Sequence, residues 1–173
     1  NPCDNTEAKA AVKAAYEHVG PVYMRFGRLA LPVINDPDTY KFELGKGVEL
    51  KSGKDITIVA TGLCVSESLK AAEMLKEAGV DAQVINIHTI KPIDEDIIIN
   101  AAKKTGRIFT VEEHSIIGGL GSAVMEVLSE KYPTKVTRIG VNDTYGCSGP
   151  AKELLHVFGL DAEGIAAKIK ENL

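Results

Sequence analysis

Cysteine is scarce in this 173-residue sequence, and its three cysteines, Cys3, Cys64 and Cys147, lie far apart. An odd, dispersed set argues against a disulfide framework and against a CxxC metal or redox site. This usage is typical of a reducing compartment, so we expect a cytoplasmic protein. The sequence also lacks a basic excess, with a formal net charge of -4, and it lacks any apolar run of membrane-spanning length. These absences argue against nucleic-acid partners and against membrane insertion.

The composition is that of a globular domain, with 45% hydrophobic and 25% charged residues. The first residues already have the character of a helix start, because Asp4 followed three positions later by Glu7 forms a capping-box pattern. Since the sequence begins with Asn1 directly ahead of this pattern, we expect the chain to be part of a longer one. Natural processing is the alternative explanation.

Strands and helices alternate along most of the chain. The patterns predict helices over 5–18, 66–78, 92–105 and 119–131, two closing helices begun by Pro150 and Asp161, and strands over 21–26, 48–50, 56–60, 82–87, 108–111 and 136–141. The turn at 52–54 predicts a hairpin between the strands at 48–50 and 56–60. Helices between short apolar strands predict an α/β fold with a doubly wound, mostly parallel sheet and one antiparallel edge strand.

Polar residues follow each predicted parallel strand, at 61–64, 88–89, 112–114 and 142–144. In such a sheet these positions converge on one edge, where ligands bind. At this edge Glu112, Glu113 and His114 precede a glycine-rich helix start. They indicate either an acid/base pair beside an anion site or carboxylates that bond to neighbouring backbone; the second interpretation is favoured. His88 could also titrate here, and weaker hypotheses make Cys64 a zinc ligand or a nucleophile.

The motif GPVYMRFGR at 20–28 places two arginines, Arg25 and Arg28, at the end of a predicted strand. The planar fork of an arginine suits a phosphate. A salt bridge between packed domains is an equally good interpretation from residue types alone.

Six segments together resemble the C-terminal part of transketolases, and most closely the separate C-terminal subunit of split transketolases. They are PCDNTEAKAAV (2–12), GPVYMRFGR (20–28), IVATG (58–62), INIHTIKPID (85–94), EEHSIIGGLGSAV (112–124) and DTYGCSGPAKELL (143–155). Deoxyxylulose-phosphate synthases and the beta chains of 2-oxo-acid dehydrogenases share this tail domain and are alternative families. A stand-alone binding or assembly module is a third alternative.

The resemblance implies a five-stranded sheet at 47–173, a linker at 31–46, and a helix-strand remnant of a pyrimidine-binding domain at 1–30. It implies a parent enzyme that uses thiamine diphosphate and magnesium to move a two-carbon ketol unit between sugar phosphates. The cofactor-binding parts lie elsewhere in that enzyme, so we expect this chain to bind no cofactor and to be inactive alone.

The same resemblance identifies Arg28 as a ligand for the substrate phosphate, although Gly27 replaces the serine typical of one-chain transketolases. It implies that the partners are the N-terminal part or subunit of transketolase and a second copy of this chain. Apolar residues of the 1–28 segment predict a two-fold dimer. Glu113, His114 and His88 remain candidates for a strand-end crevice.

Overall fold

The computed structural model describes all 173 residues and contains one five-stranded sheet with helices on both faces. The elements are α1 (Asn5–Glu17), β1 (Val48–Lys51), β2 (Ile56–Ala60), α2 (Cys64–Glu77), β3 (Ala82–Asn86), α3 (Glu95–Thr105), β4 (Arg107–Ser115), α4 (Leu120–Lys131), β5 (Lys135–Val141), α5 (Ala151–Val157) and α6 (Ala162–Lys170). None of these helices combines the length and the apolar character that spanning a membrane requires.

The strand order across the sheet is β1-β3-β2-β4-β5. The pairs β2–β3, β2–β4 and β4–β5 are parallel, whereas β1 runs antiparallel to β3 with Val48 opposite Asn86. The predicted mostly parallel sheet with one antiparallel edge strand is therefore confirmed.

The sheet separates two apolar layers, because successive side chains of each strand point to opposite faces. Ile56 and Ile58 of β2 pack with α2 and α6, whereas Val59 packs with α3 and α4 on the other face. All residues of β2 and β3 are buried, as expected for strands covered on both faces.

The predicted hairpin is wrong, since β1 pairs with β3 and not with β2. The segment between β1 and β2 crosses the start of β3, where the backbone N–H groups of Lys54 and Asp55 donate to the carbonyl oxygen of Asp81 at 3.0 and 2.9 Å. Gly53 permits this crossing, because a Cβ there would lie 2.2 Å from the backbone of Ala82. A short connection therefore joins two strands that are not neighbours.

The predicted strand at 21–26 is also absent, and residues 18–47 form no helix or strand. Its alternating side chains have the pattern of a strand, but the structure offers no neighbouring strand with which the backbone could pair. The predicted helix-strand remnant is thus a helix followed by an unpaired segment.

Side-chain caps fix the starts of three helices. Asp4 accepts a hydrogen bond from Glu7 N–H at 2.7 Å, and Asp94 and Asp161 cap α3 and α6 in the same way. These caps were predicted from sequence. The second half of the capping box differs, because the Glu7 carboxylate bonds to Cys3 N–H and not to Asp4 N–H.

Candidate functional site

The carboxyl ends of β2 and β4 mark the point where the winding of the sheet reverses. The chain leaves β2 through α2 to β3 on one side, and returns through α3 to β4 on the other side. Helix α2 packs on one face of the sheet and α3 on the other. In α/β sheets this position is the usual place for a ligand.

Glu112 has a structural role, because its carboxylate binds backbone N–H groups within the fold. Its side chain is 2% exposed, and its two carboxylate oxygens accept hydrogen bonds from Leu120 N–H at 2.8 Å and Gly121 N–H at 2.9 Å. It therefore caps the N-terminus of α4 from the end of β4, which satisfies two otherwise free donors. Gly119 leaves room for this contact, because a Cβ there would lie 1.9 Å from the carboxylate. The favoured interpretation of this motif, carboxylate bonding to backbone, is confirmed for Glu112.

A small crevice of about 40 Å³ lies between β2 and β4, and Arg25, Glu113 and Thr61 line it. The carboxamide of Asn1 fits best with its oxygen 2.9 Å from the Arg25 guanidinium and 3.2 Å from the Thr61 hydroxyl, and with its nitrogen 3.2 Å from Arg25 O. Partial burial raises the pKa of Glu113, while the charges of Arg25 and His114 oppose that shift. Asn1 and Arg25, from the N-terminal part of the chain, thus line the crevice at the edge where a ligand was expected.

His88 lies apart from this crevice. The residue is 4% exposed, its Nδ1 is 2.8 Å from Thr89 Oγ1, and its ring centroid lies 4.3 Å from that of Phe42. Burial lowers its pKa and favours the neutral ring. Its Nε2 has no hydrogen-bond partner, and its carbonyl oxygen accepts from the backbone nitrogen of Asn1 at 2.8 Å.

A cavity of about 560 Å³ adjoins His88 between α1, the 21–25 segment and the loop after β3. Its walls are largely apolar, and its side chains that can carry charge are those of Arg25, Lys91, His18, His88 and Tyr23. No carboxylate lines it. The cavity could accept an apolar or anionic group but offers no oxygen-rich cage for a divalent cation.

The other candidate residues, His114 and Cys64, line neither the crevice nor the cavity. His114 is exposed and its Nδ1 accepts from Ser115 N–H at 2.8 Å. Cys64 is fully buried, and burial raises its thiol pKa, which disfavours a nucleophilic thiolate. His88, His114 and Cys64 do not form a ligand cluster; His156, Asp161 and Glu163 do so at the surface, with ligand atoms within 4.8 Å.

Arg28 is exposed and makes no side-chain hydrogen bond or salt bridge, so its guanidinium is free to bind a ligand. The motif at 20–28 places Arg25 and Arg28 together in the sequence, whereas the structure separates them: Arg25 lines the crevice and Arg28 is exposed. The sequence did not indicate that Asn1 contacts both Arg25 and Thr61. No local pattern could show the second contact, because 60 positions separate Asn1 from Thr61.

Comparison with known proteins identifies the family. Residues 45–165 match the family "Transketolase, C-terminal domain". A Methanocaldococcus jannaschii protein, provisionally named a transketolase C-terminal section, is 47% identical over 99% of this chain and 54% of its own length. A solved structure described as a split gene transketolase, an inactive beta4 tetramer, is similar with a TM-score of 0.94 and 47% identity, over 98% of this chain and 55% of its own.

A more distant relative is 1-deoxy-D-xylulose-5-phosphate synthase 1 of Geobacter sulfurreducens, which is 39% identical over 96% of this chain and 26% of its own length. The chain therefore spans about half the length of the M. jannaschii relative and a quarter of the synthase.

Proposed function

Since the chain belongs to the transketolase C-terminal domain family, we propose that it is the C-terminal part of a split-type transketolase that moves a two-carbon ketol unit between sugar phosphates. The observation that carries this proposal is the agreement with the split gene transketolase over 98% of the chain, at a TM-score of 0.94. That agreement includes α1 and the arginine-containing segment, which lie outside the matched family region of 45–165.

We assign residues 1–30 to the end of a pyrimidine-binding domain, 31–46 to a linker and 47–173 to the C-terminal domain. The 1–30 segment carries exposed apolar side chains, among them Val12, Tyr16, Val19, Tyr23 and Phe26. Such a group of exposed apolar side chains is typical of a surface that another part of an assembly covers. The unpaired strand-like segment at 21–26 supports the same assignment.

Thiamine diphosphate and magnesium belong to the rest of the enzyme in this proposal. The cavity of about 560 Å³ beside His88 is lined by no carboxylate, whereas a magnesium diphosphate requires oxygen ligands for its metal. The residues that line this cavity do not fit a magnesium diphosphate, and we expect no activity from the chain alone.

Arg28 is the proposed ligand for the phosphate of the sugar. Its guanidinium is exposed and unpaired, and a planar fork can donate two parallel hydrogen bonds to a phosphate. Arg25 does not share this role, because its guanidinium bonds to the Asn1 carboxamide and lines the crevice beside Glu113.

The test combines this chain with the N-terminal half of its enzyme and measures ketol transfer to phosphorylated and unphosphorylated aldose acceptors. We expect Arg28→Ala to raise the KM for the phosphorylated acceptor about 10- to 100-fold, the equivalent of about 1.5–3 kcal/mol for charge-assisted hydrogen bonds. The KM for the unphosphorylated acceptor should change little.

Lys54→Ala provides the matched control, because Lys54 is an exposed cation just before the amino end of β2. It therefore lies at the opposite end of the parallel strands from the candidate site. A complete enzyme that transfers no ketol unit would contradict the proposed function. An equal rise of the KM for the phosphorylated acceptor in both variants would contradict only the phosphate-binding role of Arg28, and not the proposed function.

We also propose that the chain associates with an N-terminal transketolase part and with a second copy of itself. The relatives' greater length supports the first partner, and the tetramer in the description of the similar structure supports the second. The synthase relative favours the alternative that the parent enzyme is a 1-deoxy-D-xylulose-5-phosphate synthase. Formation of 1-deoxy-D-xylulose-5-phosphate by the complete enzyme, without ketol transfer between sugar phosphates, would identify this alternative.

A further inference from the structure

Glu7 is a carboxylate enclosed by the fold, with 0% exposure. Its Oε2 accepts from Cys3 N–H at 2.7 Å, and its Oε1 accepts from the Asn86 amide at 2.8 Å and from the Tyr40 hydroxyl. No lysine, arginine or histidine forms a salt bridge with it. A buried carboxylate is costly unless donors surround it, so this arrangement requires its three donors to stay in place.

The three donors come from three different parts of the chain. Cys3 precedes α1, Tyr40 belongs to the irregular 18–47 segment, and Asn86 ends β3. One side chain therefore joins the N-terminal helix, the irregular segment and the sheet. Burial and the bond to Glu7 raise the pKa of Tyr40, so its hydroxyl remains a donor at physiological pH.

Asp4 adds a second connection one helical turn away. While it caps α1, its Oδ2 also accepts from Ile34 N–H at 2.8 Å and Asn35 N–H at 2.7 Å. The irregular segment is thus held to the first turn of α1 at two places. We name this set of residues, Cys3, Asp4, Glu7, Asn35, Tyr40 and Asn86, the buried junction.

We infer that Glu7 is a positioning residue, which through the buried junction fixes α1 and the arginine segment at 25–28 relative to the sheet. Seven residues, 18–24, separate α1 from this segment, and Asn1, which lies just before the buried junction, bonds to Arg25. A shift of the N-terminal residues would therefore be passed through Arg25 to Arg28. This inference rests on the proposed phosphate-binding function of Arg28.

Glu7→Gln is the sharpest test because it keeps the shape of the side chain. A carboxamide has one acceptor oxygen and one donor nitrogen, so in either orientation its NH₂ group faces a donor of the junction. Glu17→Gln is the matched control, since Glu17 is exposed on the same helix. Tyr40→Phe removes one donor only and provides a milder second variant.

The first measurement is amide hydrogen exchange on the full 173-residue chain. In Glu7→Gln we expect the amides of Ile34, Asn35 and Cys3 to exchange at least about tenfold faster, while those of β2 and α2 keep their wild-type rates. Tyr40→Phe should have a smaller effect at the same amides. Unchanged exchange in Glu7→Gln would overturn the inference.

The second measurement uses the complete enzyme and a double-mutant cycle with Arg28→Ala. Glu7→Gln should raise the KM for the phosphorylated acceptor about three- to tenfold at constant kcat, and Glu17→Gln should not. In the Arg28→Ala background the same substitution should have no further effect, because its effect passes through Arg28.

An equal loss with unphosphorylated acceptors, or full additivity with Arg28→Ala, would show a general structural role and refute positioning. If the wild-type enzyme transfers no ketol unit, the proposed function has failed and so has the positioning of Arg28. Hydrogen exchange then still decides whether Glu7 anchors the segment.

Discussion

Replacement of Glu112 tests whether the most conspicuous motif of the sequence is structural. The carboxylate caps α4 through two backbone N–H groups at 2.8 and 2.9 Å. A hydrogen bond to a charged group contributes about 1.5–3 kcal/mol, and an anion at a helix N-terminus adds about 0.3–1 kcal/mol. Glu112→Gln keeps one acceptor and turns an NH₂ group toward the other donor. We therefore expect it to lower the free energy of unfolding by about 2–3 kcal/mol.

Glu112→Ala removes both acceptors from two N–H groups that are buried in the fold, and we expect a loss of about 3–5 kcal/mol. For a domain of this size the Gln variant should unfold about 4–12 °C lower than the wild type. Urea unfolding followed by far-ultraviolet circular dichroism measures the change, which should lower the midpoint at constant slope.

Glu126→Gln is the control, because Glu126 is exposed on α4 and its change should stay within about 0.5 kcal/mol. A second check is Gly119→Ala, which places a Cβ 1.9 Å from the Glu112 carboxylate. Gly119→Ala should lower the free energy of unfolding less in the Glu112→Ala background, because the added Cβ then meets no carboxylate. A Glu112→Gln variant as stable as Glu126→Gln would refute the structural explanation of this motif.

Two further predictions concern the surface. The hydrogen bond with Asp161 at 2.7 Å raises the pKa of His156, so the pair favours the folded state below about pH 6.5 and loses that contribution as the pH rises through the raised pKa. A nuclear magnetic resonance titration should show this raised pKa in the wild type and an ordinary one in Asp161→Asn, which keeps a capping oxygen; equal values would contradict the pairing. We also expect the chain to self-associate through the exposed apolar residues of its first 26 positions, so in light scattering at micromolar concentration Tyr23→Glu should lower the mass while Tyr145→Glu, at another exposed tyrosine, should not. A monomeric wild type, or dissociation by Tyr145→Glu alone, would count against this interface.

The sequence predicted those parts of the fold whose signals are local. Asp4 and Asp161 cap helices as their spacing indicates, and the largely apolar segments at 56–60 and 82–86 form fully buried strands. Each of these features depends on residues within a few positions of one another, or on burial of a whole segment.

Contacts between segments that are distant in the sequence could not be predicted from such local signals. The turn at 52–54 suggests a hairpin, yet β1 finds its partner at Asn86, and only the close approach of Gly53 to Ala82 shows why. The three bonds of Glu7 in the buried junction join position 7 to positions 3, 40 and 86. No periodic pattern connects such residues, and the capping box predicts a bond to Asp4 N–H that Glu7 does not accept.

At the carboxyl ends of the strands, the sequence likewise could not show which groups of the chain contact the polar residues of the candidate site. A ligand was expected there because polar side chains follow each strand, but three of those positions have partners within the chain: Glu112 binds the backbone of α4, Thr61 lies against Asn1, and the carbonyl oxygen of His88 accepts from Asn1. Glu113 remains beside Arg25, and His114 remains at the surface. Thr61 and the His88 carbonyl thus fix the start of the chain against this edge, and Asn1 in turn bonds to Arg25. This arrangement supports the proposed role of a domain that holds the arginine segment in place.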